Sequence, residues 1–282
     1  MTEPEIIEIE HHYLNHKGTQ LHFVTCGRVG NPPLFLLHSF YTSWGIFKPL
    51  FRNLAKRFYL VAPDLPGFGD SQVLDGVNNN QSFAQVLEAI RTKLELGKVA
   101  VFGFSAGGIL ALKYASLYPT AVVRVVEQGA PYYFRDYDII LRDKILLRLS
   151  RLTIIPRLIQ YLARSPWVWE LVRRFSKNLD AELKVMEKGR LERDFTRIKF
   201  RAAYGWAKDI LRVDLRSDLP KIKCPVKVVA GDKDPYLKLD GIYRMKNLIK
   251  DCELDIITGG DHELTLKNTE MISLKIIGFC PN

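Results

Sequence analysis

The sequence predicts an α/β protein: a mostly parallel, eight-stranded sheet with helices on both faces and an inserted helical segment. Three observations predict it. Short β-rich apolar runs alternate with stretches of helical periodicity through the first half of the chain. Two more β-rich runs arrive late, and between the two sets the apolar residues keep helical spacing. Alternating β and α units build a parallel sheet covered on both faces, because each crossover lays a helix across it.

The elements follow in order. Residues 6–26 alternate and turn at Asn15-His16-Lys17-Gly18, as an antiparallel edge hairpin does. Leu34–Leu37, Tyr59–Ala62, Val99–Phe102 and Val122–Val126 are apolar enough for buried strands. A helix is predicted from Phe83 to Leu96, with Phe83, Val86, Leu87, Ile90 and Leu94 on one face, and Asn78-Asn79-Asn80 before it reads as a polar loop. From 131 to 217 no strand is predicted. There Ile145, Leu149, Leu152, Leu158, Ile159 and Leu162 fall at helical spacing, Pro156 and Pro166 divide the segment, and Ser165 is a helix N-cap. Val226–Ala230 and Leu254–Ile257 complete the sheet. The predicted division is a core of 1–130 and 218–282 with a helical cap, or lid, over 131–217.

Composition excludes several classes. With 47 % hydrophobic residues in 282, the chain is neither disordered nor dependent on disulfides or metal for a core. Cys26, Cys224, Cys252 and Cys280 form no Cys-x-x-Cys pair, so they read as reduced thiols in a cytoplasmic protein. His11, His12 and His16 lie in one strand, where adjacent side chains point to opposite faces, and no metal site is expected there. No apolar run approaches the roughly 18 residues of a membrane span. The opening Met1-Thr2-Glu3-Pro4-Glu5 lacks the charge and apolar run of a signal peptide. The formal net charge is +10, most of it in the 131–217 segment, which also holds Trp167, Trp169 and Trp206. A one-sign field beside a cleft concentrates opposite charge, so the expected partner is a small anionic molecule or an anionic membrane surface. No motif that reads nucleic acid accompanies the charge.

The chemistry-bearing signal is Gly103-Phe104-Ser105-Ala106-Gly107, placed between a predicted strand and a helical run. A nucleophilic serine needs a sharp strand-to-helix turn to lift its Oγ clear, and the flanking glycines leave room for it. It also needs a base and an orienting carboxylate. Gly231-Asp232-Lys233-Asp234-Pro235 and Gly259-Gly260-Asp261-His262 follow the last two strands and supply both. The order Ser…Asp…His is that of a single sheet fold, and either aspartate could be the acid on sequence alone.

With these residues the chain resembles the α/β-hydrolase family over almost its whole length. Leu37-His38-Ser39-Phe40 is similar to the family's oxyanion loop, and Asp64-Leu65-Pro66-Gly67-Phe68-Gly69-Asp70-Ser71 to its Asp-x-x-Gly-x-Gly-x-Ser loop. The resemblance implies a serine hydrolase, esterase- or lipase-like, with a triad of Ser105, Asp234 and His262. It implies an oxyanion hole from the backbone N–H groups of Phe40 and Ala106, a lid at 131–217, and no cofactor or metal. Trp167, Trp169 and Trp206 are candidate pocket walls. His38 is expected to hold the oxyanion loop, and Asp64 and Asp70 to pin their turn through backbone N–H groups. Ser39 replaces the usual glycine, and Asp261 stands where a glycine usually precedes the base; the latter is expected to point away into solvent. The implied reaction is cleavage of an ester or related acyl bond of a small, partly apolar substrate through an acyl-enzyme. The same scaffold also hosts carbon–carbon bond hydrolases, cofactor-free haloperoxidases and non-catalytic receptors.

Overall fold

A hairpin whose two turn residues both have positive φ opens the sheet. Lys17 (φ 52°) and Gly18 (φ 83°) join β1 (Ile9–His16) to β2 (Thr19–Cys26), the primed geometry that matches strand twist. The computed structural model describes residues 8–136 and 190–280, together with 161, 162, 164, 165 and 167. The remaining strands are β3 (Pro33–Leu37), β4 (Tyr59–Pro63), β5 (Val99–Phe104), β6 (Val122–Gln128), β7 (Val226–Gly231) and β8 (Cys252–Ile257). Their spatial order is β1-β2-β4-β3-β5-β6-β7-β8. The β1–β2 and β2–β4 pairs are antiparallel, and every other pair is parallel. All eight predicted strands are present.

Alternation along each strand divides the interior into two layers. Phe35 and Leu37, Val61, Val99 and Val101, and Val226 and Val228 face one core. Leu34 and Leu36, Leu60 and Ala62, Ala100 and Phe102, and Val229 face the other. Helices α2 (Asn80–Lys93) and α3 (Ala106–Leu117) cover the first face with α6 (Leu239–Leu248). Helices α1 (Lys48–Leu54) and α8 (Thr269–Phe279) cover the second, with the short α7 (Leu264–Lys267) beside them. The central strands are buried on both sides, which is why their sequences are continuously apolar.

The start of α2 moves Asn80 out of the expected polar loop at 78–80 and into the helix. Asn79 accepts the Ser82 N–H (2.9 Å) while Ser82 Oγ accepts the Asn79 N–H (3.0 Å), a reciprocal cap that sets the helix three residues earlier. Asn80 is buried, with its backbone N–H and side-chain Nδ2 both donating to Asp209 Oδ2.

Within the 131–217 segment, α4 (Arg190–Arg197) and α5 (Phe200–Ile210) are described. The two ends of this segment lie side by side: Phe134 N–H donates to Val213 O (2.8 Å) and Leu215 N–H to Tyr132 O (2.9 Å). Arg216 closes the same junction over the Tyr133 ring, 4.0 Å from its centroid. The helical spacing from Ile145 to Ile159 and the break at Pro166 lie outside the described residues. Among the described residues no helix is long and apolar enough to cross a membrane.

Candidate active site

The parallel strands β3, β5, β6, β7 and β8 all end on one edge of the sheet, so the loops that follow them converge there. Ser105 follows β5 with φ 53° and ψ −116°, a conformation few non-glycine residues hold. It is over-determined by its neighbours. A Cβ on Gly103 would overlap the Gly107 carbonyl, and one on Gly107 would overlap the Leu37 carbonyl. The Ser105 N–H donates to Gln128 O (2.7 Å), and Ser105 O accepts from Gly108 N–H (2.8 Å).

The three residues expected as a triad are together. Ser105 Oγ lies 2.9 Å from His262 Nε2, and His262 Nδ1 lies 2.7 Å from Asp234 Oδ2. Asp234 can only accept as a carboxylate, so Nδ1 carries the proton and Nε2 accepts from the serine hydroxyl. The other Asp234 oxygen accepts Tyr236 N–H (2.8 Å). Asp232 is turned elsewhere: its Oδ1 accepts Gly259 N–H (2.7 Å) and ties the β7 loop to the β8 loop. Asp261 also turns from the imidazole, capping Glu263 N–H (3.0 Å) and pairing with Lys267. The His262 ring packs edge-on against Tyr236, with centroids 4.7 Å apart.

The loop after β3 lies against the elbow, since Leu37 and His38 carbonyls crowd Gly107. His38 is fully buried: its Nε2 accepts Leu65 N–H (3.0 Å), so Nδ1 bears the hydrogen and donates to Ser39 O (2.8 Å). Burial lowers its pKa, keeping it a neutral strut between two loops. Ser39 O also accepts Thr42 Oγ–H (2.8 Å). Ala106 is the first residue of α3, where amide N–H groups have no carbonyl partner within the helix. The Phe40 ring packs edge-on against Phe68 and at a tilt against Trp206.

Asp64 pins its turn, accepting Asp70 N–H (2.9 Å) and Trp44 N–H (3.1 Å), and it pairs with buried His22 (2.7 Å). Asp70 does not act as expected; its carboxylate is half-exposed and pairs with Arg197 of α4 (3.1 Å). His11 and His12 do face opposite sides, His11 on His22 and His12 on Thr25. Of the three tryptophans, Trp206 is enclosed by Phe40, Phe68 and Phe83 and donates its indole N–H to Asn80 Oδ1 (3.0 Å), so it backs the oxyanion loop and offers no open wall. Trp167 is 59 % exposed, and Trp169 lies outside the described residues.

Sequence reasoning missed the end of β6. Gln128 is fully buried, with Nε2 donating to His262 O (3.1 Å) and Oε1 accepting from Thr265 N–H and Oγ–H, so it anchors the base loop from both sides. Beside it, Glu127 is also fully buried. Its Oε2 accepts Ala130 N–H (2.9 Å), and Oε1 has no partner. Burial pushes this carboxyl up to about 8, and the nearby Asp234 charge acts the same way. The signal available was position: both residues close a central strand beside the one that ends in Ser105.

Residues 32–269 match the α/β hydrolase fold family. The chain is 32 % identical over 124 residues to the uncharacterized hydrolase YNR064C of Saccharomyces cerevisiae, spanning 43 % of this chain and 42 % of that protein. It therefore covers under half the length of that relative. To the serine hydrolase BPHL of Homo sapiens it is 26 % identical over 261 residues, 89 % of this chain and 79 % of the relative. The crystal structure of the enol-lactonase from Burkholderia xenovorans LB400 superposes with a TM-score of 0.76 at 17 % identity, over 95 % of this chain and 99 % of that one. With residues 32–269 matching the family and an eight-stranded sheet carrying its loops to one edge, the chain belongs to the α/β hydrolase fold family.

Proposed function

We propose that the protein is a serine hydrolase that cleaves an ester or related acyl bond of a small, partly apolar substrate through an acyl-enzyme. The observation that carries this reading is the unbroken series Ser105 Oγ, His262 Nε2, His262 Nδ1, Asp234 Oδ2, with links of 2.9 and 2.7 Å, set on a strained elbow. In the first half-reaction Ser105 Oγ attacks the acyl carbon and its proton passes to His262 Nε2. Asp234 holds the imidazole in place and balances the charge it gains. The tetrahedral oxyanion is met by the N–H groups of Ala106 and Phe40, each worth roughly 3–4 kcal/mol when aimed where charge develops. Collapse expels the alcohol, which takes the proton from His262. Water then repeats the sequence, with His262 as base, and releases the acid and free Ser105.

In this reading residues 131–217 are the cap over a core of 1–130 and 218–282. Its basic excess favours an acyl substrate that carries a carboxylate. The testing experiment is labelling with a fluorophosphonate followed by peptide mapping, which probes the nucleophile without assuming a substrate. Label confined to Ser105 is expected. A folded protein that resists labelling would instead be a receptor using the same scaffold.

A further inference from the structure

Helix α5 has two working faces. Ala202, Ala203, Trp206 and Ile210 are buried against the core, as an amphipathic helix requires. The opposite side forms one wall of a cleft of about 350 Å³ whose other wall is the loop 76–79 leading into α2. Arg201, Tyr204, Lys208 and the following Arg212 line that wall. The three cations are exposed and form no ion pair among the described residues. Lys208 lies only over the Tyr204 ring, 5.6 Å from its centroid.

One carboxylate lines the cleft, and it is committed. Asp209 Oδ2 receives both Asn80 donors, at 2.6 and 2.8 Å. Three cations against this one anion leave a lining charge of +2, which matches the charge of about −2 on a phosphate group near pH 7. The positive end of the fourteen-residue α2 opens here too, through its N-cap Asn79. On the loop wall Asn78, 4 % exposed, gives both Nδ2 hydrogens to Leu74 O and Gly76 O, while its Oδ1 has no donor. The wider groove between β8 and α8, about 890 Å³, differs in kind. There Lys227, Lys267 and Lys275 already pair with Glu253, Asp261 and Asp255, so no lysine is left unpaired.

We propose that the α5 cleft is an anion site for the phosphate group of a soluble ligand, held by Arg201, Lys208 and Arg212. Gly205 permits the closeness on which the site depends, since a Cβ there would come within 2.8 Å of Asn78 O. Bound phosphate bridges α5 to the 76–79 loop. The same helix carries Trp206, whose ring packs on Phe40 at 5.6 Å, so the anion also steadies the loop that bears the Phe40 N–H.

The test is calorimetric titration of the whole protein with inorganic phosphate at fixed ionic strength, for the wild type and for Lys208→Ala/Arg212→Ala. Saturable binding is expected, with affinity at least about tenfold weaker in the double variant, because charge-assisted bonds to phosphate are lost. Thermal melting without phosphate shows whether the variant is folded; if it is not, Lys208→Gln alone makes the same comparison. No saturation, or equal affinity in the variants, overturns the proposal. So does sedimentation with phosphatidylglycerol vesicles in the absence of phosphate binding, which would assign the basic face to a lipid surface. Fluorophosphonate labelling of Ser105 in phosphate-free buffer reads the nucleophile with this site empty, so failure of this site and failure of the acyl-hydrolase reading are separate results.

Discussion

Ser105 Oγ and His262 Nε2 lie 2.9 Å apart across 157 residues of sequence. Two different strand ends, those of β5 and β8, must be fixed in space to achieve this. Ser105→Ala and His262→Ala are each expected to lower kcat on short p-nitrophenyl esters by about 10³-fold or more, with unchanged thermal unfolding. Turnover that survives both substitutions at near wild-type rate would remove the triad from the mechanism.

The two aspartates of the β7 loop separate by readout. Asp234→Asn is expected to cost about 10⁴-fold in kcat, because the imidazole loses the partner that sets its tautomer. Asp232→Ala removes the acceptor of Gly259 N–H instead. Its cost is expected in stability, about 1 kcal/mol by urea unfolding, with kcat within a few-fold of wild type. The reverse ranking would shift the acid by two residues.

Gly107→Ala places a methyl group on the Leu37 carbonyl, between the elbow and the loop after β3. Backbone on both sides leaves nothing soft to give way. A loss of at least about 3 kcal/mol, or failure to accumulate as folded protein, is expected, measured by denaturant unfolding or soluble yield. Gly278→Ala is the control, since a Cβ there meets nothing within 4 Å.

Glu127 gives a pH signature in stability. Its folded pKa is raised from 4.5 to about 8, so the folded state holds a proton that the unfolded chain releases. The contribution is fully present below pH 4.5, falls as pH rises, and is lost by about pH 8. Glu127→Gln keeps an acceptor for Ala130 N–H and cannot ionise. The variant's Tm relative to wild type is therefore expected to rise between pH 5 and pH 8. A Tm difference constant with pH would show that the carboxyl is not held neutral.

Much of the site was legible because its parts are local. A glycine two residues either side of Ser105, after a strand and before a helix, specifies the elbow through sterics that act over five residues. The buried strands were legible for a similar reason: period and apolar content report burial directly. Asn80 was misread as loop because the reciprocal cap of Asn79 and Ser82 depends on rotamers as well as residue types. Asp70 was misread because its partner, Arg197, comes from α4, 127 residues away.

The sequence by itself determined the fold class, the order of strands along the chain, and which residues could act as nucleophile, base and acid. Which of Asp232 and Asp234 meets the imidazole was decided only by tertiary structure, because both sit in one turn and meet different residues of the loop after β8, Gly259 and His262. The same holds for Trp206, whose indole is closed in by Phe40, Phe68 and Phe83 from three separate segments. It holds again for Glu127 and Gln128, consecutive residues that point to opposite faces of β6. One became a buried carboxyl with a raised pKa and the other an anchor for the base loop, since alternation sends neighbours to different surroundings. Local sequence fixes what a side chain can do; the packed sheet fixes what it meets.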